Sequence, residues 1–320
     1  MKIIKLLSTI LVLTSFVTAQ ANPVEIDNDI KTFKQELITK FKFKQDEVNK
    51  VISHANYNDK IVKTMDKPYE DHSYDDYRKI FLTKKRIAEG KDFLESNKEF
   101  LASVSKKYGI APEIIVAIIG IESNYGKNKT QFSTLDSLYT LAFYYPKRSK
   151  YFRYELAQFL ILCRELNISP ESVQGSYAGA LGIPQFMPSS YRHYARTSFK
   201  HHKPNLFDNK EDAMTSIGNY LHHFGWAKGE PTVVNIKTKD NFSNVDPQKK
   251  YTLKQLSKEG ITTSAKLKPS ERFRLIQVDQ ETSTPRTWLG LRNFDVIKKY
   301  NKSDLYVLAV TELAEQISRH

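Results

Sequence analysis

Ile114-Ile-Val-Ala-Ile-Ile-Gly-Ile-Glu-Ser-Asn-Tyr-Gly126 joins an apolar run to a single carboxylate and then to a turn. Pro112 fits the first turn of the helix that carries the run. Ile114, Ile115, Ile118 and Ile119 precede Glu122 at helical intervals and share its face, so the carboxyl projects from an apolar stripe. Ionising it there is costly. Low dielectric raises a carboxyl pKa, and the negative end of a helix dipole raises it further. Both effects keep a proton on Glu122 near neutral pH, the state that a general acid needs.

Upstream of this run, residues 22–105 read as a charged, mostly helical domain. Asp92 to Tyr108 has Phe93, Leu94, Phe100, Leu101, Val104 and Tyr108 at helical spacing, and Lys106, Lys107 and Gly109 supply a stop. Downstream, residues 106–228 form the expected core. Tyr151 to Leu166 reads as a helix, and Ser169-Pro170 opens a short one. Gly175, Gly179 and Gly182 precede Pro184 and Pro188, a density that signals a loop with close backbone approach. Asp208 and Glu211 resemble a capping box opening a helix through Ala213, Ile217, Tyr220, Leu221 and Phe224. The texture then changes. Thr232 to Lys237 and Arg272 to Val278 read as strands of a small β-containing domain over 229–280. Residues 281–320 return to the helical domain, with Leu305, Leu308, Ala309, Leu313 and Ile317 at helical spacing. The predicted fold is α+β and predominantly helical.

Residues 1–21 read as an export signal: Lys2 and Lys5, an apolar stretch to about Val17, then Ala19-Gln-Ala21. No Cys stands at the cleavage site, so the expectation is a periplasmic protein without a lipid anchor. Cys163 is the sole cysteine, which excludes an internal disulfide and leaves stability to the core. The formal charge of +13 suits a polyanionic partner. Nucleic acid is one candidate and peptidoglycan, with its lactyl and peptide carboxylates, is another; export favours the second. The pairs His201-His202 and His222-His223 are adjacent in sequence and make poor chelates, and no His-Glu-x-x-His occurs. Lys237 to Lys258 reads as a solvated basic face.

Glycoside cleavage usually takes two carboxylates. Near Glu122 stand Asp136 and Glu155, and neither has the context of a second acid. A mechanism with one carboxylate is therefore preferred, in which the same Glu protonates the leaving oxygen and then removes a proton from the nucleophile.

Ile119-Gly-Ile-Glu-Ser-Asn-Tyr-Gly126 followed by Gly175-Ser-Tyr-Ala-Gly-Ala-Leu-Gly-Ile-Pro-Gln-Phe-Met-Pro-Ser-Ser-Tyr191 resembles the lytic murein transglycosylase B family. Tyr77-Arg-Lys-Ile-Phe81, Arg86-Ile-Ala-Glu-Gly90, Gly218-Asn-Tyr220, Gly225-Trp226, Arg292-Asn-Phe294 and Lys299-Tyr-Asn301 extend the likeness along the mature chain. The resemblance implies a lysozyme-like core flanked by a helical domain and a small β domain. It implies cleavage of the β-1,4 bond between N-acetylmuramic acid and N-acetylglucosamine without water. The muramyl 6-hydroxyl attacks its own anomeric carbon, assisted by the 2-acetamido group, and leaves a 1,6-anhydro end. By resemblance Glu122 is the acid and base, Ser176 supports its carboxyl, and Gln185, Phe186, Tyr77, Tyr220, Tyr300, Ser123 and Tyr125 line the saccharide groove. A lysozyme-type hydrolase and a non-catalytic wall-binding scaffold are the alternatives. Peptidoglycan strands are the expected partner and other cell-wall enzymes are candidates, with no nucleic acid and no transmembrane helix.

Two positions depart from the pattern. Many relatives carry an EF-hand-like calcium loop where this chain reads Arg196-Thr-Ser-Phe-Lys-His-His-Lys-Pro204, which contains no carboxylate. Calcium requires hard oxygen ligands, so no metal and no other cofactor is expected. Asp295 stands where relatives often have an aromatic residue.

Overall fold

The computed structural model describes residues 23–66, 73–128, 131–199, 202–238, 245–278 and 286–319. The export signal, His201 and part of the Lys237–Lys258 stretch lie outside these residues.

Helices dominate. The first six are α1 (Pro23–Thr39), α2 (Gln45–Ser53), α3 (Asp59–Met65), α4 (Tyr74–Phe81), α5 (Lys84–Ser96) and α6 (Lys98–Tyr108). The stretch read as one helix from Asp92 is thus two. Asn97 leaves helical geometry at φ −120° and ψ 18°, and its side-chain amide donates back to the Phe93 carbonyl at 2.7 Å. Asn competes well for such local backbone bonds, which is why it ends a helix that the apolar spacing would continue.

α7 (Pro112–Ser123) carries the isoleucine run and begins with Pro at its first turn, as the sequence predicts. Every residue from Ile114 to Ile121 is buried, so the apolar stripe of the sequence reading is a helix enclosed on all sides. It packs against α5, α6, the later helix α11 and the last helix α14. β1 (Phe132–Ser133), α8 (Thr134–Tyr144), α9 (Ser149–Leu166) and β2 (Gln174–Gly175) follow, then α10 (Pro188–Tyr194) and α11 (Lys210–His223). α11 starts one residue later than the capping-box reading places it. Asn209 is the cap, its side chain accepting from Asp212 N at 3.0 Å, while Asp208 accepts from the Asn205 side chain. Cys163 on α9 is buried, and burial pushes its thiol up to about 12.

The remaining elements are β3 (Val233–Asn235), β4 (Lys250–Tyr251), α12 (Leu253–Lys258), β5 (Phe273–Val278), β6 (Arg286–Gly290), α13 (Arg292–Tyr300) and α14 (Asp304–Ser318). The four strands form an antiparallel sheet in the order β3-β6-β5-β4. β6 is interior to that sheet, although it lies beyond residue 280, where the sequence reading closes the β-containing segment. Its residues alternate too little to announce a strand; the pairing of Leu275 with Leu289 and Ile276 with Trp288 fixes it. β5 is apolar on both faces. Phe273 and Leu275 join a small core with Leu256, Ile261 and Leu289, whereas Ile276 and Val278 join the main core. The sheet therefore wedges between two apolar clusters, and α13 and α14 leave it to return to α7. That return brings residues from the chain's end against Glu122. No helix among the described residues is long and apolar enough to cross a membrane.

Candidate active site

Glu122 is the penultimate residue of α7 and is half-buried. Three left-handed residues follow: Asn124 at φ 49°, Tyr125 at 61° and Gly126 at 79°. Asn tolerates this region and Gly enters it freely, but Tyr does not, so packing must hold it. Tyr125 is buried, and its hydroxyl donates to the Arg86 carbonyl at 2.7 Å. Its ring occupies space that only glycines leave open. A Cβ on Gly120 would stand 2.7 Å from the Tyr125 Oη, and one on Gly90 would stand 2.6 Å from it. Ser123 fixes the same turn: its Oγ donates to Ile119 O at 3.2 Å and accepts from Gly126 N at 3.1 Å. Ser123 and Tyr125 thus build the turn that presents Glu122; the buried Tyr125 ring offers no face to a ligand.

Residues 175–187 form a second wall. β1 and β2 pair Phe132 with Gly175 and tie the exit of the Glu122 turn to the entrance of this segment. Ser176 Oγ accepts from Ala178 N at 3.2 Å and Ala180 N at 3.0 Å. Those bonds leave its own proton unspent, so the hydroxyl retains a donor. Leu181 and Phe186 bridge each other across a turn in which Gly182 lies at φ 68° and Gln185 at φ 49°. Gln185 is half-buried and its Nε2 donates to Gly182 O at 2.7 Å. Leu206 O accepts from Ile183 N at 2.7 Å, so the turn is pressed against the 205–207 backbone.

Phe186 is buried between Tyr220 and Tyr300, with centroids 5.5 Å from each. Tyr220 is buried too and donates to Lys299 O at 2.6 Å. Tyr77 is buried against Phe81. Tyr300 is half-buried and its hydroxyl donates to Pro184 O. Phe186, Tyr220 and Tyr300 form one continuous aromatic support, and Tyr77 packs apart from it on α4.

Tyr306 is the residue that sequence reasoning missed. It lies in the first turn of α14 after the Ser303 cap, and its phenol donates to Glu122 Oε1 at 2.7 Å. Its ring stacks on Tyr300 at 6.4 Å with planes 10° apart. Burial, and then the charge of Glu122, push both phenols well above the ordinary tyrosine range. Tyr306 therefore stays a neutral donor at any working pH. The available signal was a polar-tipped residue on the buried stripe Tyr306, Val310, Leu313 and Ile317.

The other carboxylates singled out in the sequence are committed. Glu155 is buried and accepts from Ser189 N at 2.9 Å and Ser189 Oγ at 2.7 Å, anchoring the start of α10; burial raises its pKa against those bonds. Asp136 accepts from Asn56 N at 2.7 Å. Asp295 pairs with Lys250 and, at 3.6 Å, with Arg274, clasping α13 to the sheet. A cavity of about 360 Å³ adjoins the turn that follows Glu122, lined by Ser123, Gly126, Gln174, Gly182, Ile183 and Phe207 among others. The loop after α10 does not fit calcium. Its described residues supply no carboxylate, Lys203 donates its ammonium to Glu165 O, and Arg196 donates to Ala195 O at 2.7 Å. Cationic side chains occupy carbonyls that a hard cation would seek.

The profile of a family described as the transglycosylase SLT domain matches residues 25–315. The chain belongs to that family. It is 33% identical over 296 residues to membrane-bound lytic murein transglycosylase B of Escherichia coli, covering 89% of this chain and 81% of that one. The fold is similar to soluble lytic transglycosylase SltB1 of Pseudomonas aeruginosa, with a TM-score of 0.82 and 35% identity over 91% of this chain and 98% of that one. It is also similar to the Escherichia coli lytic transglycosylase Slt35 in complex with bulgecin A, with a TM-score of 0.83 and 33% identity over 91% and 92% of the chains.

The turn geometry of this transglycosylase-family chain sets one expectation. A Cβ on Gly182 would lie 2.1 Å from Leu206 O, whereas Gly229, at a similar φ of 79°, has nothing within 4 Å. Gly182→Ala should cost about 1–3 kcal/mol more than Gly229→Ala in urea unfolding, the overpacking penalty alone. Equal costs would show that the 182–206 contact yields freely.

Proposed function

We propose that Glu122 is the single acid and base of a lytic transglycosylase acting on peptidoglycan strands. The observation that carries this reading is a half-buried carboxyl at the end of an enclosed apolar helix, with the buried phenol of Tyr306 donating to it. Family membership makes the protein an enzyme of this class. The assignment of roles is ours.

Tyr306 fixes Oε1 of the carboxyl that holds and moves the proton. In the first half-reaction Glu122 donates to the glycosidic oxygen between N-acetylmuramic acid and N-acetylglucosamine. The new carboxylate then accepts the proton of the muramyl 6-hydroxyl as that oxygen closes on the anomeric carbon. Proton count balances: one given, one recovered, and no water consumed. The Tyr306 hydrogen bond stabilises the carboxylate that appears midway. Ser176, with a proton to spare, supports the carboxyl or the acetamido group. The Gln185 amide can accept from an N-acetyl N–H through its oxygen while its NH₂ holds the turn. Phe186, Tyr220, Tyr77 and Tyr300 act through Gln185, Pro184 and Tyr306, keeping the two walls in register. The enzyme works in the periplasm after removal of the leader, and it needs no calcium.

Glu122→Gln keeps shape and loses the transferable proton. It should abolish release of soluble fragments from purified sacculi, a loss of several orders of magnitude, while sedimentation with sacculi persists; unchanged release would overturn the assignment. Tyr306→Phe removes a bond that favours the ionised form, so the Glu122 pKa rises. The activity lost as pH climbs through that pKa is then lost at higher pH, and kcat falls about tenfold, the worth of one hydrogen bond. A descending limb that moves to lower pH would contradict the geometry. Treatment with EDTA and subsequent calcium should leave both the melting temperature and the rate unchanged; a calcium-dependent rise in either would restore a metal to the 196–204 loop.

A further inference from the structure

A second cavity, of about 300 Å³, lies where β3 and β6 meet α4 and α14. It shares no lining residue with the cavity at the Glu122 turn. We propose that it binds the carboxylate end of a peptide, namely a stem peptide carried by the muramyl sugar, and so reads the substrate at a distance from the cut. This rests on the peptidoglycan reading above and names a part of the substrate that the Glu122 site leaves unassigned.

The wall chemistry selects the ligand. Arg286 and Arg319 stand exposed at the rim, and no carboxylate among the described residues lies within ion-pair distance of either. Glu312, deeper in, is already neutralised: Arg78 Nε donates to its Oε2 at 2.8 Å, a second Arg78 nitrogen reaches Oε1, and Tyr74 donates to Oε2 at 3.0 Å. With Glu312 paired to Arg78, the lining sets Arg286 and Arg319 against Glu315, an excess of one positive charge. Arginine forks match carboxylates in pairs of parallel hydrogen bonds. Glu315, exposed at the rim, accepts an ammonium or amide N–H of the same ligand. Trp288, edge-on to Tyr74 at 6.2 Å, supplies an apolar wall for the peptide's aliphatic part.

Size and reach point the same way. A volume near 300 Å³ is at the lower limit for ligand pockets and suits one or two amino-acid residues rather than a glycan chain. Glu312 is six residues beyond Tyr306 on α14, a rise of about 9 Å. An extended peptide advances about 3.4 Å per residue, so three residues reach about 10 Å. A stem attached to a muramyl unit near Glu122 can span that interval.

The test is calorimetric titration of the whole mature protein with a synthetic stem tetrapeptide, as the free acid and as the C-terminal amide. The acid should bind, with the amide weaker by about tenfold or more, and the double variant Arg286→Gln/Arg319→Gln should lose affinity for the acid by a similar factor. Equal binding of acid and amide, unaltered binding by the double variant, or no binding of the acid at millimolar concentration would each overturn the proposal. Should the double variant unfold, the acid–amide comparison on the unaltered protein decides alone. Cleavage of strands stripped of peptide should match wild type in a folded double variant. If the wild-type protein bound the peptide yet released nothing from intact sacculi, the proposed function would be struck while this site stood.

Discussion

The hydrogen bond from Tyr306 to Glu122 is the constraint that gives the architecture its purpose. It joins the end of a helix near the middle of the chain to the start of a helix at its end. To make that bond, the chain must leave the core after α11, build a four-stranded sheet, and return through α13 and α14. The sheet is gripped between two apolar clusters, which sets where α14 begins. Without that fixed return, Glu122 would lose the buried phenol that donates to it. With it, one carboxyl oxygen is held by a donor that stays neutral in the working range.

The same economy runs through the two turns around the site. Both use left-handed residues that are not glycine, Tyr125 and Gln185, and both rely on glycines elsewhere to make the space. Gly90 and Gly120 admit the Tyr125 ring; Gly182 lets the Gln185 turn meet the Leu206 carbonyl. Strain at such positions persists only where the surroundings over-determine the conformation. Here the surroundings are the enclosed α7 and the Phe186–Tyr220–Tyr300 cluster.

Much of this was legible in the sequence, for identifiable reasons. The α7 run, its Pro start and the Glu122 turn are local signals, and the structure has them where the spacing puts them. The helical character of the chain and its family follow from periodicity and from long motifs. What failed was either a cap or a long-range pairing. Asn97 breaks a helix through a side-chain bond that apolar spacing cannot reveal. β6 exists because Leu289 and Trp288 find Leu275 and Ile276, a register that no local pattern encodes. Tyr306 was invisible as a partner because its contact spans 184 positions in sequence. The aromatic residues were foreseen as groove walls, yet Phe186, Tyr220 and Tyr77 are buried, since large apolar rings are drawn inward wherever the core can take them.

The central claim is that Glu122 returns its proton economy to balance with the substrate's own hydroxyl rather than with water. Mass spectrometry of the fragments released from sacculi by the purified protein tests it most directly. The account predicts muropeptides lighter than their hydrolysed counterparts by one water, with 1,6-anhydro ends. Fragments carrying the full mass of a reducing end would contradict it.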